Sequence, residues 1–500
     1  MRAIRCGAPR LGLAVGLGLG LALANAGEAR AQEVMINADA APRPPEQRQR
    51  KVHGDVTLGA AFGFITEDPI ASFDPSFALD LRDIVPLQLR LGGPLRLRMY
   101  DRQPTQDQVI RGADWDEAGD FVAILQRLHY ADTFAFGERG LANVDLRIGG
   151  LGRVQLGHGS LVMGYANSLD LDRRRSGVDL HTRVEGYLLD QPAGIDAGIV
   201  IGDLAGEQIF GGRAAADWAG ASLGFSAVGD PLAPRQLTLD PAGEGISVDR
   251  QNRPVAEGET GAAAVGLDLS YRFTDRWRYL VTPYLDLNLM PGMGKGLHFG
   301  VDAELVVGRH RNSRLGIRAE LTAGDASYDP AYFDVFYTMQ RAQAPFVATP
   351  GSLPDDATTY AQPKRAFVLT NDLSGVGGYG AIRFAHEEGA FAETGYRYRP
   401  GPLGHTWETR VGVELEVVEL SLLLAHRGDL GFKVIEPAGT LASFDLVVPV
   451  LSYLNVTARA AWLYATRRSP GATAAAGVES TGFVGGGGLM LLGVAGRFPW

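Results

Sequence analysis

Cysteine is almost missing from this chain of 500 residues: Cys6 is the single one, and it precedes an apolar run near the N-terminus. A disulfide framework, a zinc–thiolate site and a cysteine nucleophile are therefore excluded for the rest of the chain. Basic residues are also fewer than acidic ones: the chain has 47 Lys and Arg and 57 Asp and Glu. The net charge of −10 argues against a nucleic-acid partner, which would require a basic surface.

Long apolar segments and the common cofactor motifs are missing as well. A mean hydropathy of only −0.02 excludes a bundle of transmembrane helices. The sequence contains no P-loop, no dinucleotide-binding glycine fingerprint and no H-E-x-x-H motif. Asp325, Asp329 and Asp334 could hold calcium, but their spacing is not that of an EF-hand. We therefore predict no cofactor and no metal site.

His158 and Ser160 form the one pair that suggests a hydrolase. Two residues apart in an extended strand, they would point to the same face, without a predictable third group to orient the histidine. No G-x-S-x-G motif supports the hypothesis. We predict that the protein is not an enzyme and keep an outer-membrane hydrolase as a minor alternative. The segment around these residues could also be an inserted plug.

The first 31 residues have the pattern of a secretory signal peptide. Arg2, Arg5 and Arg10 precede an apolar run at 11–24, and a small-residue cleavage site follows at 29–31. Residues 32–53 are rich in proline and charge and predict a flexible periplasmic leader. From 54 to 500 the composition is uniform, which predicts one domain. A single soluble core of that size would be unusual.

Apolar and polar residues alternate through most of this domain. At 265–273 Val, Leu, Leu, Tyr and Phe alternate with Gly, Asp, Ser and Arg, and 297–307 and 407–417 follow the same rule. A period of two indicates strands, and their length matches the roughly 9–11 residues that a tilted strand needs to cross a bilayer. Glycine, at 66 residues, disfavours helices. A soluble β-sandwich would alternate similarly and is the alternative.

Aromatic residues near strand ends and the lengths of the connections favour a membrane barrel over a sandwich. Short connections, such as 92–94, 309–313 and 387–389, alternate with long ones, such as 152–176, 231–261 and 326–374. This pattern is typical of an up-and-down barrel with short periplasmic turns and long outer loops. We predict an all-β, transmembrane antiparallel β-barrel of about 18 strands, within a range of 16–20.

The last strand strengthens this assignment. Met490, Leu492, Val494 and Phe498 alternate with small or polar residues, and the chain ends in Trp500. In this the sequence resembles Gram-negative outer-membrane β-barrel proteins of porin-like size, although their last residue is more often Phe and Pro499 interrupts the pattern. The resemblance implies Sec export to the outer membrane and contact with outer-membrane lipid and lipopolysaccharide. It also implies recognition by the barrel-assembly machinery, with Val494, Phe498 and Trp500 as the signal.

The polar face of the strands would then line a water-filled lumen. The predicted lumen-lining residues are Arg90, Arg96, Arg98, Arg147, Arg183, Asp268, Arg272, Asp286, Asp302, Glu304, Arg318, Glu320, Glu408, Arg410, Glu414 and Glu416. Charges of both signs on neighbouring strands can pair and stiffen the wall, or set up a transverse field across the pore. The overall negative charge weakly favours cations.

The connection 326–374 is too aromatic for a purely solvated loop. It predicts a constriction folded into the lumen, or a surface loop, carried by Tyr328, Tyr332, Phe333, Phe336 and Tyr337. The function we predict is a porin-like channel for passive diffusion of small polar solutes. The alternative is a barrel subunit of an envelope export or motility complex without open-channel activity. A homo-oligomer is compatible with either.

Overall fold

The computed structural model describes the greater part of the chain. The described residues are 52–65, 68–99, 109–115, 117–137, 139–169, 175–206, 209–238, 255–275, 279–307, 312–341, 363–387, 389–415, 417–428, 440–462 and 488–499. The predicted signal peptide lies outside them, as does the leader except for its last two residues. The second of these, His53, already begins the first strand.

The elements are numbered in chain order. The first fourteen strands are β1 (His53–Ile65), β2 (Asp68–Asp80), β3 (Leu87–Gly92), β4 (Leu95–Arg98), β5 (Leu125–Phe136), β6 (Gly140–Gly149), β7 (Val154–Gln155), β8 (Val162–Tyr165), β9 (Gly177–Leu188), β10 (Gln191–Ile201), β11 (Phe210–Trp218), β12 (Ala221–Asp230), β13 (Pro234–Leu237) and β14 (Ala256–Glu259). The remaining thirteen are β15 (Ala262–Tyr271), β16 (Phe273–Asp275), β17 (Tyr279–Leu289), β18 (Lys295–Val307), β19 (Ser313–Gly324), β20 (Phe333–Asp334), β21 (Gly375–His386), β22 (Ala390–Tyr398), β23 (His405–Leu415), β24 (Val418–Gly428), β25 (Thr440–Leu451), β26 (Leu454–Trp462) and β27 (Gly488–Pro499).

In the described ranges, helices are few and short. Three α-helices are α1 (Ala118–Val122), α2 (Tyr337–Gln340) and α3 (Lys364–Thr370), and two 3-10 turns are Gly112–Asp114 and Gly401–Leu403. Within the described ranges, no helix has both the length and the apolar character needed to cross a membrane.

The long strands form one closed antiparallel barrel. Each pairs with its neighbours along the chain, and the last strand, β27, pairs with β1 over eleven positions from Asp55↔Pro499 to Ile65↔Leu489. Within the described residues the barrel has twenty strands, because β3 with β4 and β15 with β16 each form one interrupted strand. The all-β, antiparallel barrel predicted from the alternation is confirmed.

The predicted number of 18 strands is wrong, although 20 lies within the range allowed. β2 contains Pro69 and Pro75, which hide a strand from a pattern reading because proline cannot donate to the ladder. The sequence predicts a short connection between two strands at 92–94, but Gly93 and Pro94 lie between β3 and β4, which both pair with β2. Pro94 interrupts this strand without reversing the chain.

The two faces of the wall are arranged opposite to those of a soluble protein. In β15, Leu267 and Leu269 on the outer face are 50% and 51% exposed, whereas Asp268 and Ser270 on the inner face are each 5% exposed. The same division runs around the barrel, with large aliphatic and aromatic side chains outside and charged or small ones inside. An apolar exterior of this extent marks a surface that is covered by something other than water.

The two ends of the barrel differ. All connections at one end are short, and the chain's last strand finishes there; we call this the short-turn end, and the opposite one the loop end. Exposed aromatic side chains ring the outer face near the short-turn end. They are Phe134, Phe136, Trp218, Tyr271, Phe273, Tyr279, Phe384 and Phe498. Amphipathic rings in such a girdle favour the boundary between headgroups and acyl chains.

Candidate functional site

Two connections from the loop end fold back into the barrel and join each other there. We call residues 151–169 together with 325–341 the plug. β8 of the first segment pairs in parallel with β20 of the second, through Val162↔Phe333 and Met163↔Asp334. The amide of Phe333 donates to the carbonyl of Leu161 over 3.1 Å, and β7 completes the small sheet. Backbone pairing thus fixes two segments that are far apart in sequence.

The plug has an apolar core built largely from the aromatic side chains of 328–337. Tyr328, Tyr332, Phe333, Phe336 and Tyr337 are each at most 1% exposed. Four of them pack with Val162, Tyr165 and Leu161 of the other segment and with Val228, Ala264 and Met290 around β12, β15 and β17. The fifth, Phe336, packs with Leu423, Ala425 and Leu441 of β24 and β25. The aromatic loop therefore lies inside the barrel, and none of its five rings presents a free face to solvent.

Wall glycines make room for this core. A Cβ atom at Gly296 or Gly324, on the inner faces of β18 and β19, would overlap the ring of Tyr328. The Tyr328 hydroxyl accepts a hydrogen bond from Asn288 at 2.8 Å. Tyr328 is thus held through both its ring and its hydroxyl. The space that its ring needs accounts for part of the glycine content on the inner face.

A cluster of buried ions connects the plug to the wall. Asp329 lies 2.8 Å from Arg399 and 3.3 Å from Lys364, and Asp334 lies 3.1 Å from Arg399 and 3.8 Å from Lys364. Arg427 of β24 also contacts Asp334. All five residues are buried. Two plug carboxylates are thus matched by three cations from α3, β24 and the end of β22.

Burial and charge have opposite effects on Asp334. Burial by itself would raise the pKa of Asp334, but Arg427, Lys364 and Arg399 outweigh it and hold the pKa well below its ordinary value of 3.8. Burial lowers the pKa of Lys364, and Asp334 and Asp329 partly offset that effect. Burial also raises the pKa of Tyr165 to about 12, so this plug phenol is neutral at physiological pH.

A second polar network anchors the other plug segment. His158 Nδ1 lies 2.8 Å from the Asp286 carboxylate of β17, and its ring stacks on Tyr284 at 4.1 Å between centroids. Arg318 of β19 donates to the carbonyl oxygen of His158. Arg318 also lies 2.7 Å from Glu320, which accepts a hydrogen bond from Tyr284 at 2.6 Å. The wall thus holds this segment through fixed hydrogen bonds.

This network contains only part of the geometry that a hydrolase site requires. Asp286 orients His158, but the hydroxyl of Ser160 donates to Asn288 at 3.5 Å. No hydrogen bond joins Ser160 to His158 among the residues that the structure describes. The three aspartates considered for calcium are engaged by other partners. Asp329 and Asp334 pair with cationic side chains, and Asp325 accepts hydrogen bonds from the backbone amides of Lys295 and Ser327. In the described part of the chain, no group of three or more metal-ligating residues is found.

The plug is eccentric. Its polar contacts with the wall run from Asp230 of β12, bonded to Tyr337 at 2.7 Å, to Arg427 of β24. Arg153 pairs with Glu393 of β22, and Arg410 of β23 donates to the carbonyl oxygen of Gly152 at 2.9 Å. Among the described residues, no hydrogen bond or ion pair of the plug reaches β1–β4, β26 or β27. The polar contacts of the plug thus lie on one side of the interior. We call the inner face of β1–β4, β26 and β27 the uncovered side, because the described part of the plug makes no such contact there.

The inner face of the uncovered side carries exposed charges. Arg459 of β26 and Asp445 of β25 pair across the strands with side chains 57% and 40% exposed. Arg497 of β27 lies 3.2 Å from Asp55 of β1 and is 54% exposed. Closer to the loop end the same side bears a small apolar cluster. Its members are Ala61, Ile65, Ile70, Ala461, Leu489 and Leu491. Water thus reaches a charged wall beside the plug.

The described lumen candidates divide into three groups, and the strand register places all of them on the inner face except Arg272, which lies between β15 and β16. Those that form or support the plug contacts are Asp286, Arg318, Glu320, Glu408 and Arg410. Those paired with residues outside the plug are Arg96 with Asp114 of the 3-10 turn, and, within the wall, Arg147 with Asp145, Arg183 with Asp217, Asp268 with Arg213, Asp302 with Arg383 and Glu304 with Arg314. The rest are Arg90 and Glu414, which are exposed, and Arg98 and Arg272, which are partly buried.

The remaining predicted positions are two residues of β27 and two residues outside the described ranges. Val494 and Phe498 are 49% and 52% exposed on the outer face of β27. Glu416 and Trp500 lie outside the described residues. Sequence reasoning missed Arg127, Arg153, Glu393, Arg399 and Arg427. Alternation between Arg127 and the apolar Leu128 and Tyr130 could have revealed the first, whereas the others depend on contacts that are distant in sequence.

Comparison with solved structures finds proteins of low sequence identity to this chain. Solved structures similar to this chain include a ferric enterobactin receptor from Pseudomonas aeruginosa, with 11% identity and a TM-score of 0.35, covering 91% of this chain and 82% of the receptor. They also include the outer membrane protein OpdK from the same organism, with 12% identity, a TM-score of 0.30 and coverage of 90% and 99%. The similarity is to outer-membrane β-barrels.

A porin from Rhodobacter blastica is similar at 7% identity, with a TM-score of 0.26 and coverage of 90% of this chain and 99% of the porin. All these scores lie below 0.5, so the likenesses say nothing about a shared function. No family model and no curated protein sequence matches the chain.

Proposed function

We propose that this protein is an outer-membrane channel through which small polar solutes diffuse passively. The observation that carries the proposal is the exposed, charged inner wall beside the eccentric plug. An apolar exterior with an aromatic girdle fits a lipid environment, in which a barrel must close because unpaired backbone groups are costly. The apolar residues of β27, including Val494 and Phe498, would meet acyl chains and the assembly machinery.

Planar-bilayer recording tests the proposal directly. Purified protein that migrates as a heat-modifiable band is added to a bilayer in KCl, and we expect discrete, long-lived conductance steps. The steps should be small for a barrel of twenty strands, because the plug fills part of the cross-section. Folded protein that produces no steps at any voltage would contradict the proposal.

A charge on the outer wall tests the membrane placement. Leu267→Arg puts a guanidinium in the middle of β15, on the outer face, and we expect it to destabilise the inserted barrel by ~2–4 kcal/mol. Leu188→Arg is the matched control, because Leu188 is the last residue of β9 at the short-turn end and is 59% exposed. The cost there should be near zero. Urea unfolding in lipid vesicles measures both, and equal effects would count against a bilayer around the barrel.

The second candidate is a barrel subunit of an envelope export or motility complex. The small apolar cluster near the loop end of the uncovered side favours it, because an apolar constriction can close a pore to water and ions. A silent barrel in the bilayer whose Ile65→Ser variant conducts would favour this candidate. A wild-type barrel that conducts favours diffusion.

A further inference from the structure

A cavity of about 350 Å³ opens on the uncovered side, near the short-turn end. It lies where the first and last strands meet, and it is lined by inner-face residues of β1, β2, β3, β5 and β27. Four of the lining residues are arginines: Arg82, Arg90, Arg127 and Arg497. This volume falls within the range of sites for small molecules.

Arg90 and Arg127 are direct cross-strand partners in the register of β3 and β5. Both side chains are exposed to the interior, and neither makes a hydrogen bond or an ion pair with another of the described residues. Like charges that face each other across a pair of strands destabilise the sheet. The positive charges of Arg147, Arg90 and Arg82 repel Arg127, and Glu414 of the facing wall attracts it.

The carboxylates in the cavity are already engaged. Asp55 pairs with Arg497 at 3.2 Å, and Asp80 pairs with Arg82 at 2.6 Å. These two acids and two arginines balance, so Arg90 and Arg127 leave a local excess of positive charge. The whole chain has a net charge of −10, so this local excess of positive charge is opposite in sign to the charge of the protein as a whole.

We infer that Arg90 and Arg127 form a binding site for the oxyanion group of a small organic anion, a carboxylate or a phosphate. Each guanidinium offers a planar fork of donors that matches such a group. An anion between them would remove the repulsion between the two arginines. The inference rests on the proposed diffusion function and makes small organic anions the solute class that the channel favours.

Binding in detergent tests the site independently of conduction. Isothermal titration of the folded protein with succinate and with inorganic phosphate should give saturable binding to the wild type. Replacing both arginines, Arg90→Gln with Arg127→Gln, should weaken binding about tenfold or more, because two charge-assisted hydrogen bonds are lost. Arg90→Lys with Arg127→Lys keeps the charge but not the fork and should weaken binding less.

Arg139→Gln is the control. Arg139 lies in the turn between β5 and β6, over the ring of Tyr187 and outside the cavity, so the same change of charge should leave binding unchanged. No saturable binding of either anion, or equal affinities in the Arg90/Arg127 and Arg139 variants, would overturn the inference. Loss of current in the bilayer with intact binding would overturn the diffusion proposal and not the site. In a KCl gradient, the double glutamine variant should shift the reversal potential towards cation selectivity relative to Arg139→Gln.

Discussion

Removal of residues 152–166 should raise the single-channel conductance several-fold. This segment leaves and rejoins the wall at one point, because the amide of Asn167 donates to the carbonyl of Leu151 at 3.1 Å and the Leu151 amide donates to the Asn167 side chain at 2.6 Å. A compact loop with adjacent ends can be replaced by two glycines without strain in the barrel. The excision takes away β7 and β8, and with them the strand partner of Phe333.

The wall should survive the excision, since its ladder is continuous from β1 to β27 without any plug strand. Heat-modifiable migration of the variant verifies this before recording. Channels of unchanged conductance from a correctly folded variant would mean that the plug does not limit the passage. Greater current noise without larger single-channel conductance steps would also contradict the expectation.

Asp334→Asn should loosen the plug and produce large, fluctuating openings. The substitution leaves Arg399, Arg427 and Lys364 with only Asp329 to balance them. Removing one partner from a buried ionic cluster costs about 3–5 kcal/mol, because the remaining charges stay desolvated. The cost falls on the docking of the plug and not on the backbone ladder of the wall.

Asp372→Asn is the matched control for this substitution. Asp372 belongs to the same connection between β19 and β21, but it lies in solvent, and its carboxylate accepts hydrogen bonds from the backbone amide and the side chain of Ser374 within that turn. We expect the wild-type conductance trace from it. Equal traces from both variants would show that the cluster around Asp334 does not hold the plug in place.

Acid should imitate the Asp334 variant. The pKa of this carboxyl is lowered in the folded protein, so its contribution to plug stability is complete above the ordinary value of 3.8 and is lost as the pH falls below it. Channel recordings between pH 7 and pH 3 should therefore show large openings only in the most acidic range. In Asp334→Asn the same openings should already be present at pH 7.

How much the sequence could predict is clearest in β15 and β2. In β15 Leu267 alternates with Asp268, and because successive side chains of a strand point to opposite faces, this pattern alone separates the outer face from the inner one. Alternation also placed Asp286, Arg318 and Arg410 on the inner face. Where proline interrupts it, as in β2, strand counting failed.

What the sequence by itself determined is the class of architecture, an inside-out barrel, since a period of two is a local property of each segment. Only the tertiary structure decided what occupies the interior. The pairing of Val162 with Phe333 and the ion pairs of Asp334 with Arg399 and Arg427 join segments more than 60 residues apart. The meeting of Arg90 and Arg127 depends on the register between β3 and β5. Such contacts depend on strand register and on the docking of loops. No local sequence pattern predicts them, because their free energy arises only when distant segments meet.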